Sequence, residues 1–279
     1  MHSKKSPLIL GGKYMKQIGD IKGTVLITGA STGIGYELTK LFAKDNYNLV
    51  LVARNIEKLN SMANEFQEKY GVQVKAIGKD LALPNSSYEI FKEITDCNID
   101  IDVLVNNAGS GSCGLFHEID YEKDIEMIQL NVTSLTCLTK LFARKMIEKG
   151  NGKILNVAST GSYQPGPYIA VYYATKAYVL SFSEAIYNEL KNYGIAVTTI
   201  CPGATKTEFS KRAGKMDIRT AMDPKTVAMA AFNGLKKNKR LIIPGTTNKI
   251  AIIASKLLPG SILAKTVEKI QKSLVERKV

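Results

Sequence analysis

The chain has no tryptophan and only two histidines, His2 and His117. Metal catalysis is therefore poorly supplied, because histidine is the commonest side-chain ligand. The four cysteines, Cys97, Cys113, Cys137 and Cys201, are far apart and form no C-x-x-C pair. Zinc sites and redox dithiols lack support, and reduced thiols in a cytosol are the simplest reading. No apolar run approaches the ~20 residues of a membrane-spanning helix. The apolar stretch at 7–10, behind Lys4 and Lys5, is too short for a secretory signal. Met15 offers an alternative start, with the residues before it as a leader or vector remnant. The expected location is cytoplasmic.

What is present is a chain of 279 residues with 38 basic and 25 acidic side chains, a net charge of +13. That length buries a sizeable core without disulfides or metals. The excess of positive charge admits nucleic acid, an anionic membrane surface or an anionic ligand as partner. The basic residues are nevertheless scattered, the densest short run being Lys236, Lys237, Lys239 and Arg240. A solvated surface explains scattered lysines better than nucleic-acid binding does.

Apolar, β-branched runs at 24–28, 48–53, 72–78, 103–105, 153–158, 195–201 and 241–243 read as strands. Helical patterns separate them: one after Gly35, then 55–70, 84–97, a long region at 121–149, 172–193 and 224–237. Asp223-Pro224 is a good start for the last of these, a capping residue followed by proline in the first turn. Strictly alternating strands and helices, with strands apolar on both faces, predict an α/β fold: a doubly wound parallel sheet, Rossmann-like, covered by helices on both faces. The predicted organisation is an N-terminal extension over 1–22, one cofactor-binding and catalytic domain over 23–245, and a C-terminal amphipathic extension over 246–279. In that extension Ile262, Leu263, Val267, Ile270 and Leu274 share one helix face. Packing on the protein's own body is preferred for it over contact with a membrane surface or a partner.

The segment Thr28-Gly-Ala-Ser-Thr-Gly-Ile-Gly35 lies between the first strand and the first helix. Gly29 allows a tight turn, while Gly33 and Gly35 let backbone approach a pyrophosphate at the helix N-terminus, with Ser31, Thr32 and Ile34 completing the turn. The spacing G-x-x-x-G-x-G differs from the common dinucleotide fingerprint, but its place after a strand supports a dinucleotide. NAD binders usually carry an acid at the end of the second strand. Here Ala53 is followed by Arg54, which suits a 2′-phosphate, so NADP(H) is favoured with NAD(H) as the alternative. Asp80, followed by Leu81, reads either as a partner for the adenine amino group or as a loop aspartate. Asn106-Asn107-Ala108-Gly109 ends the fourth strand with small residues and amides that suit a backbone passing close to a cofactor, or simply a turn.

The reacting centre is sought between Ser159 and Lys176. Tyr172 and Lys176 are four apart and share a helix face. A nearby ammonium would lower the tyrosine's ordinary value near pH 10, so that the phenol exchanges protons with a substrate oxygen. Y-x-x-x-K occurs four times, at Tyr36/Lys40, Tyr88/Lys92, Tyr172/Lys176 and Tyr187/Lys191. Position chooses among them. Only Tyr172 follows a serine-bearing loop at the end of a strand, where ligands gather in open α/β sheets.

These pieces together resemble the short-chain dehydrogenase/reductase family over roughly residues 22–245. The matching motifs are the Thr28-to-Gly35 turn, Asn106-Asn-Ala-Gly109, Asn131, Ser159, Tyr172-x-x-x-Lys176 and Pro202-Gly203 with Thr207. The resemblance implies Tyr172 as acid/base and Lys176 as holder of the nicotinamide ribose. It implies Ser159, thirteen residues before Tyr172, as hydrogen-bond partner of the substrate oxygen, and Asn131 as support for a proton-relay water. Pro202 and Gly203 would line the nicotinamide, with Thr205 and Thr207 near its carboxamide or the phosphates. Family members are commonly dimers or tetramers. The tail resembles the longer tails of a bacterial branch related to acyl- and steroid-active reductases.

The expected function is an oxidoreductase interconverting a carbonyl and an alcohol, acting on a moderately apolar small molecule. The alternatives are an NAD-dependent alcohol dehydrogenase using the same residues, and a non-catalytic cofactor sensor or scaffold on the same fold. Residues 110–116, 162–169 and 204–222 are expected to shape the substrate pocket, the last contributing Arg212.

Overall fold

The computed structural model describes residues 20–209, 213 and 221–276. The N-terminal extension as far as residue 19, Met15 included, lies outside the described residues, as do Arg212, most of its stretch and the side chain of Leu274. Seven strands form one sheet: β1 (Thr24–Thr28), β2 (Asn48–Ala53), β3 (Val74–Gly78), β4 (Val103–Asn106), β5 (Gly152–Val157), β6 (Ile195–Ile200) and β7 (Leu241–Ile242). Their order is β3-β2-β1-β4-β5-β6-β7, and every pairing is parallel. The order reverses at β1, so β1 and β4 splay their connections to opposite faces and leave a crevice at their C-terminal ends.

The strands are apolar throughout because both faces are covered. Val25 and Ile27 of β1 pack with α1 (Gly33–Lys44), α2 (Ile56–Tyr70) and a helix at Pro224–Lys236. Leu26, between them, faces the other layer, α3 (Ser86–Asp96) and a helix at Leu135–Lys149. Phe42 of α1 meets Phe232 edge-on at 5.0 Å, and Phe91 meets Phe142 at 5.3 Å in the opposite layer. The doubly wound parallel sheet expected from the strand pattern is therefore the fold.

The region expected as one helix over 121–149 is interrupted. It runs as α4 (Tyr121–Ile128), a π-helical turn (Gln129–Ser134) and α5 (Leu135–Lys149). A π turn admits an extra residue without breaking the helix, so sequence periodicity barely registers it. The next helix, α6 (Ala170–Leu190), starts slightly earlier than expected and ends in a 3₁₀ turn (Lys191–Tyr193). The Pro224–Lys236 helix is α7, with Asp223 capping the amide of Lys225 at 2.8 Å.

The tail forms α8 (Thr246–Leu257) and α9 (Gly260–Glu276). Among the described side chains of α9 the buried ones are Leu263, Val267 and Gln271, spaced four apart. The expected stripe differs: Leu263 and Val267 are inside, but Ile262 and Ile270 are exposed at its sides. A four-residue spacing selects a narrower line than the apolar residues alone suggest, and it takes in a glutamine. Among the described residues no helix is long and apolar enough to cross a membrane.

Candidate active site

A cleft of about 1390 Å³ opens along the C-terminal ends of the strands. That exceeds the ~300–1,000 Å³ of a pocket for one drug-sized ligand. Its floor at one end is the turn from Gly29 to Gly35. Gly29 and Gly33 have φ of +64° and +56°, which side chains other than glycine rarely adopt. A Cβ on Gly35 would stand 2.2 Å from the Gly29 carbonyl oxygen and 2.5 Å from Asn107 Nδ2. Gly35→Ala is therefore expected to cost about 2–3 kcal/mol through backbone displacement. Thermal melting of the apoprotein checks this, and an unchanged midpoint would show that the turn is not tightly set.

Asn107 holds this turn. Its Nδ2 donates to the carbonyls of Thr28 and Gly29 at 2.9 and 3.1 Å, and its backbone N–H donates to Thr28 Oγ1 at 3.0 Å. The amide is thus spent on joining the end of β4 to the end of β1. Ala108 and Gly109, which follow it, line the cleft as expected.

Helix α1 points its N-terminus into the cleft. Its N-cap residue Thr32 makes no side-chain capping bond, and its first turn holds no acid. By contrast Asn55, Asp120 and Asp223 each cap a helix elsewhere. The free amides and positive dipole end of α1 therefore suit an anionic group. Arg54 stands exposed at the end of β2, with one guanidinium nitrogen 3.8 Å from Asp80 Oδ2. The other Asp80 oxygen accepts from Ala82 N at 2.9 Å. Leu81 is buried, and its carbonyl accepts from Ser134 Oγ at 2.6 Å. These donors fit the phosphates of a dinucleotide.

At the other end α6 brings up Tyr172 and Lys176. A buried polar ladder fixes this helix: Asn106 Nδ2 donates to Asn156 Oδ1, Asn156 Nδ2 to Ser183 Oγ, and Ser183 Oγ to the Val179 carbonyl. Lys176 is 4% exposed and donates to the Val157 carbonyl at 2.8 Å. Its ammonium lies 5.8 Å from the centre of the Tyr172 ring. Ser159 accepts from Gly161 N at 3.1 Å and hydrogen-bonds the Tyr172 phenol.

Desolvation pushes the Tyr172 phenol above the ordinary tyrosine range, and the Ser159 hydrogen bond only partly offsets it. This differs from the expectation that Lys176 lowers it. The reason is that Lys176 is itself desolvated and its proton is directed at Val157. Burial pushes the lysine down from 10.5 to about 8.

The folded value of Lys176 lies below the unfolded one, so the unfolded chain holds more protons between pH 8 and 10.5, and this lysine makes stability rise with pH across that window. The gain is about 3 kcal/mol at ~1.4 kcal/mol per pH unit. Denaturant titrations of the wild type and Lys176→Met from pH 7 to 10 should diverge accordingly. Parallel curves would show that the ammonium is not desolvated.

Asn131 lies in the π turn, 1% exposed, behind the cleft wall. Its Nδ2 donates to the Ser110 carbonyl and Thr175 Oγ1, and its Oδ1 accepts from Ser110 N. Both amide hydrogens are spent, so the side chain braces the Ser110 loop against α6. Ser31, Thr32, Gly33, Ile34, Pro202, Gly203, Thr205 and Thr207 all line the cleft, whereas Gly35 and Asn131 sit behind its wall. Thr205 Oγ1 donates to the Gly203 carbonyl at 3.0 Å.

The other Tyr-Lys pairs are surface features. Lys40 pairs with Glu37, Lys92 with Asp96, and Lys191 donates to Asn188. Several cleft residues carry no motif in the sequence. Phe209 packs on Tyr172 with ring centres 5.2 Å apart, and Asn248 of α8 abuts Gly203. Gln271 of α9 reaches Tyr173. Gly114 N donates to the carbonyl of Tyr168, whose φ is +65°, tying two of the expected substrate loops together.

Residues 23–217 match the short chain dehydrogenase family. A very-long-chain 3-oxoacyl-CoA reductase of Phaeosphaeria nodorum is 34% identical over 211 residues, covering 74% of this chain and 62% of that protein. A solved short-chain dehydrogenase from Sphingobium yanoikuyae in complex with NADPH is 33% identical, with a TM-score of 0.77 over 84% of this chain and 94% of that one. The bulky-bulky ketone specific alcohol dehydrogenase from Comamonas testosteroni is 29% identical, with a TM-score of 0.74 over 84% and 92%. The chain spans about three fifths of the length of several of the curated relatives it matches. A family match from β1 past β6, together with solved members that share the fold, means that the chain belongs to the short-chain dehydrogenase/reductase family.

Proposed function

We propose that the protein is an NADP(H)-dependent reductase of bulky carbonyl compounds, 3-oxoacyl thioesters foremost, with Tyr172 as proton donor. One observation carries the reading: Tyr172, held as a neutral phenol by desolvation, stands beside Ser159 and Lys176 at the end of a cleft roomy enough for a dinucleotide and a second molecule. Solved relatives named as NADPH-bound or bulky-ketone enzymes, and curated relatives named as 3-oxoacyl-CoA reductases, support it.

When bound, the nicotinamide supplies the hydride that adds to the carbonyl carbon. The chain does the rest. Tyr172 Oη gives its proton to the carbonyl oxygen, and a phenol kept neutral at physiological pH suits donation over abstraction. On binding, Ser159 would turn its single hydroxyl proton from the phenol to the substrate oxygen, stabilising the charge that develops there. Lys176 holds the cofactor's ribose and stabilises the phenolate left after proton transfer. The amides at the start of α1 would hold the pyrophosphate, Arg54 the 2′-phosphate, and Asp80 and Leu81 the adenine end. Asn131 keeps the Ser110 loop and α6 at a fixed separation.

Arg54 opposes the NAD-dependent alternative, and the complete Ser159, Tyr172 and Lys176 set opposes a non-catalytic sensor. Pairing of subunits into a homodimer or homotetramer belongs to the same reading. It is supported by the part-exposed Ile147 of α5 and Tyr178 of α6. The test is NADPH consumption against 3-oxoacyl thioesters, bulky ketones, small aldehydes and quinones. Turnover of small aldehydes alone would sink the reading.

A further inference from the structure

Gln271 is a polar residue on the buried line of α9, 6% exposed, and it lines the cleft. Val267 and Leu263, one and two turns back, anchor the helix beneath it. Its Nε2 donates to the Tyr173 hydroxyl at 3.3 Å, a hydroxyl that also bonds the Gln164 side chain. The Tyr173 ring is held in turn: a Cβ on Gly161 or Gly166 would fall within 2.6 Å of it. The carboxamide is thus fixed at the hydroxyl of Tyr173, and the ring centre of Tyr173 lies 6.1 Å from that of Tyr172. Its Oε1, however, is buried with no hydrogen-bond partner. A buried acceptor without a donor is costly, and native structures keep few of them.

We infer that Gln271 is a specificity-determining residue whose Oε1 accepts a hydrogen bond from an N–H or O–H group of the substrate, set back from the reacting carbonyl. On the reading proposed above, that donor is the amide nearest the sulfur in the thioester arm. The tail is then part of the substrate site: α9 adds a recognition group to those of the strand-end loops. This also accounts for a glutamine where the helix pattern calls for an apolar residue.

The test uses the full chain, NADPH and two matched substrate pairs. One pair is the N-acetylcysteamine and S-butyl thioesters of the same 3-oxo acid, which differ in the amide. The other is a bulky ketone with and without a distal hydroxyl. The wild type should show a KM about tenfold lower for the donor-bearing member of at least one pair. Gln271→Leu should abolish that difference, with kcat and the KM of the donor-free member within about twofold of wild type. Tyr173→Phe, which frees the carboxamide, should weaken the preference and serves as the second variant. A preference that survives Gln271→Leu overturns the inference, as does a wild type without any preference. A fall in kcat on all members alike would reveal a purely structural role and overturn it too. Preference within the ketone pair without thioester turnover would sink the acyl reading and leave Gln271 assigned. Turnover of thioesters with no preference within either pair would do the reverse.

Discussion

Tyr172→Phe should lower kcat for carbonyl reduction by about 10²–10⁴-fold, the contribution of a positioned general acid, and leave NADPH affinity within about threefold of wild type. The variant removes one oxygen and keeps the ring, which packs on Phe209 at 5.2 Å and lies against Tyr173. Lys176 keeps its bond to the Val157 carbonyl, so the holder of the ribose does not move. What disappears is the proton destined for the substrate oxygen, and with it the hydrogen bond to Ser159. Loss of the hydroxyl also relieves a desolvated polar group, so the melting temperature should hold or rise. Cofactor fluorescence titration and steady-state rates decide the matter together. Loss of NADPH binding in step with kcat would mean that the ring, not the proton, matters. Undiminished turnover would move the acid elsewhere, and Ser159 is the group left beside the substrate oxygen.

Legibility in the sequence followed what each residue must do. The strands could be read because both of their faces are buried, which makes runs such as 48–53 apolar without alternation. Tyr172 could be chosen among four Tyr-Lys pairs because its place after β5 and Ser159 is a matter of order along the chain. Other features depend on where a side chain finally points, and a linear pattern does not hold that. Asn107 lines the cleft as expected, but that its side-chain amide is consumed by the carbonyls of Thr28 and Gly29 could not be read from its position. The π turn around Asn131 was hidden because helical periodicity continues on both sides of it. Gln271 was invisible because it lies some hundred residues from Tyr173, and only the rotation of α9 about Leu263 and Val267 turns it inward. Phe209 and Asn248 reached the cleft in the same way, through tertiary packing of segments without a motif.

Arg54→Asp should reverse the choice of cofactor. The kcat/KM with NADPH is expected to fall by about 10²–10³-fold, from loss of a charge-assisted phosphate contact together with a new repulsion. The kcat/KM with NADH should rise several-fold, because a carboxylate at the end of β2 can accept from the ribose 2′-hydroxyl. The effect rests on a single guanidinium. Thr32 in the glycine turn is uncharged, and Lys79, a nearby cation in the cleft wall, is paired with Glu89 at 2.8 Å. Arg54 itself is tethered only weakly, 3.8 Å from Asp80 with 64% of its side chain exposed. It can therefore turn to a phosphate at little cost. Exposure also means screening, so the NADPH preference of the wild type should shrink as ionic strength rises from 0.01 to about 1 M, where the Debye length falls from ~30 to ~3 Å. The variant's preference should respond to salt in the opposite sense, since what is screened there is repulsion. A ratio of NADPH to NADH efficiency that changes less than about threefold in Arg54→Asp would remove Arg54 from the cofactor site and leave the amides of α1 as its principal anion contact. Thermal stability separates this from misfolding: the new carboxylate would sit beside Asp80 at the surface, where like-charge repulsion costs only a few tenths of a kcal/mol, about what exposed pairs are worth. A large drop in melting temperature is thus not expected, and a change in cofactor choice without one would be the signature of a residue that reads the phosphate.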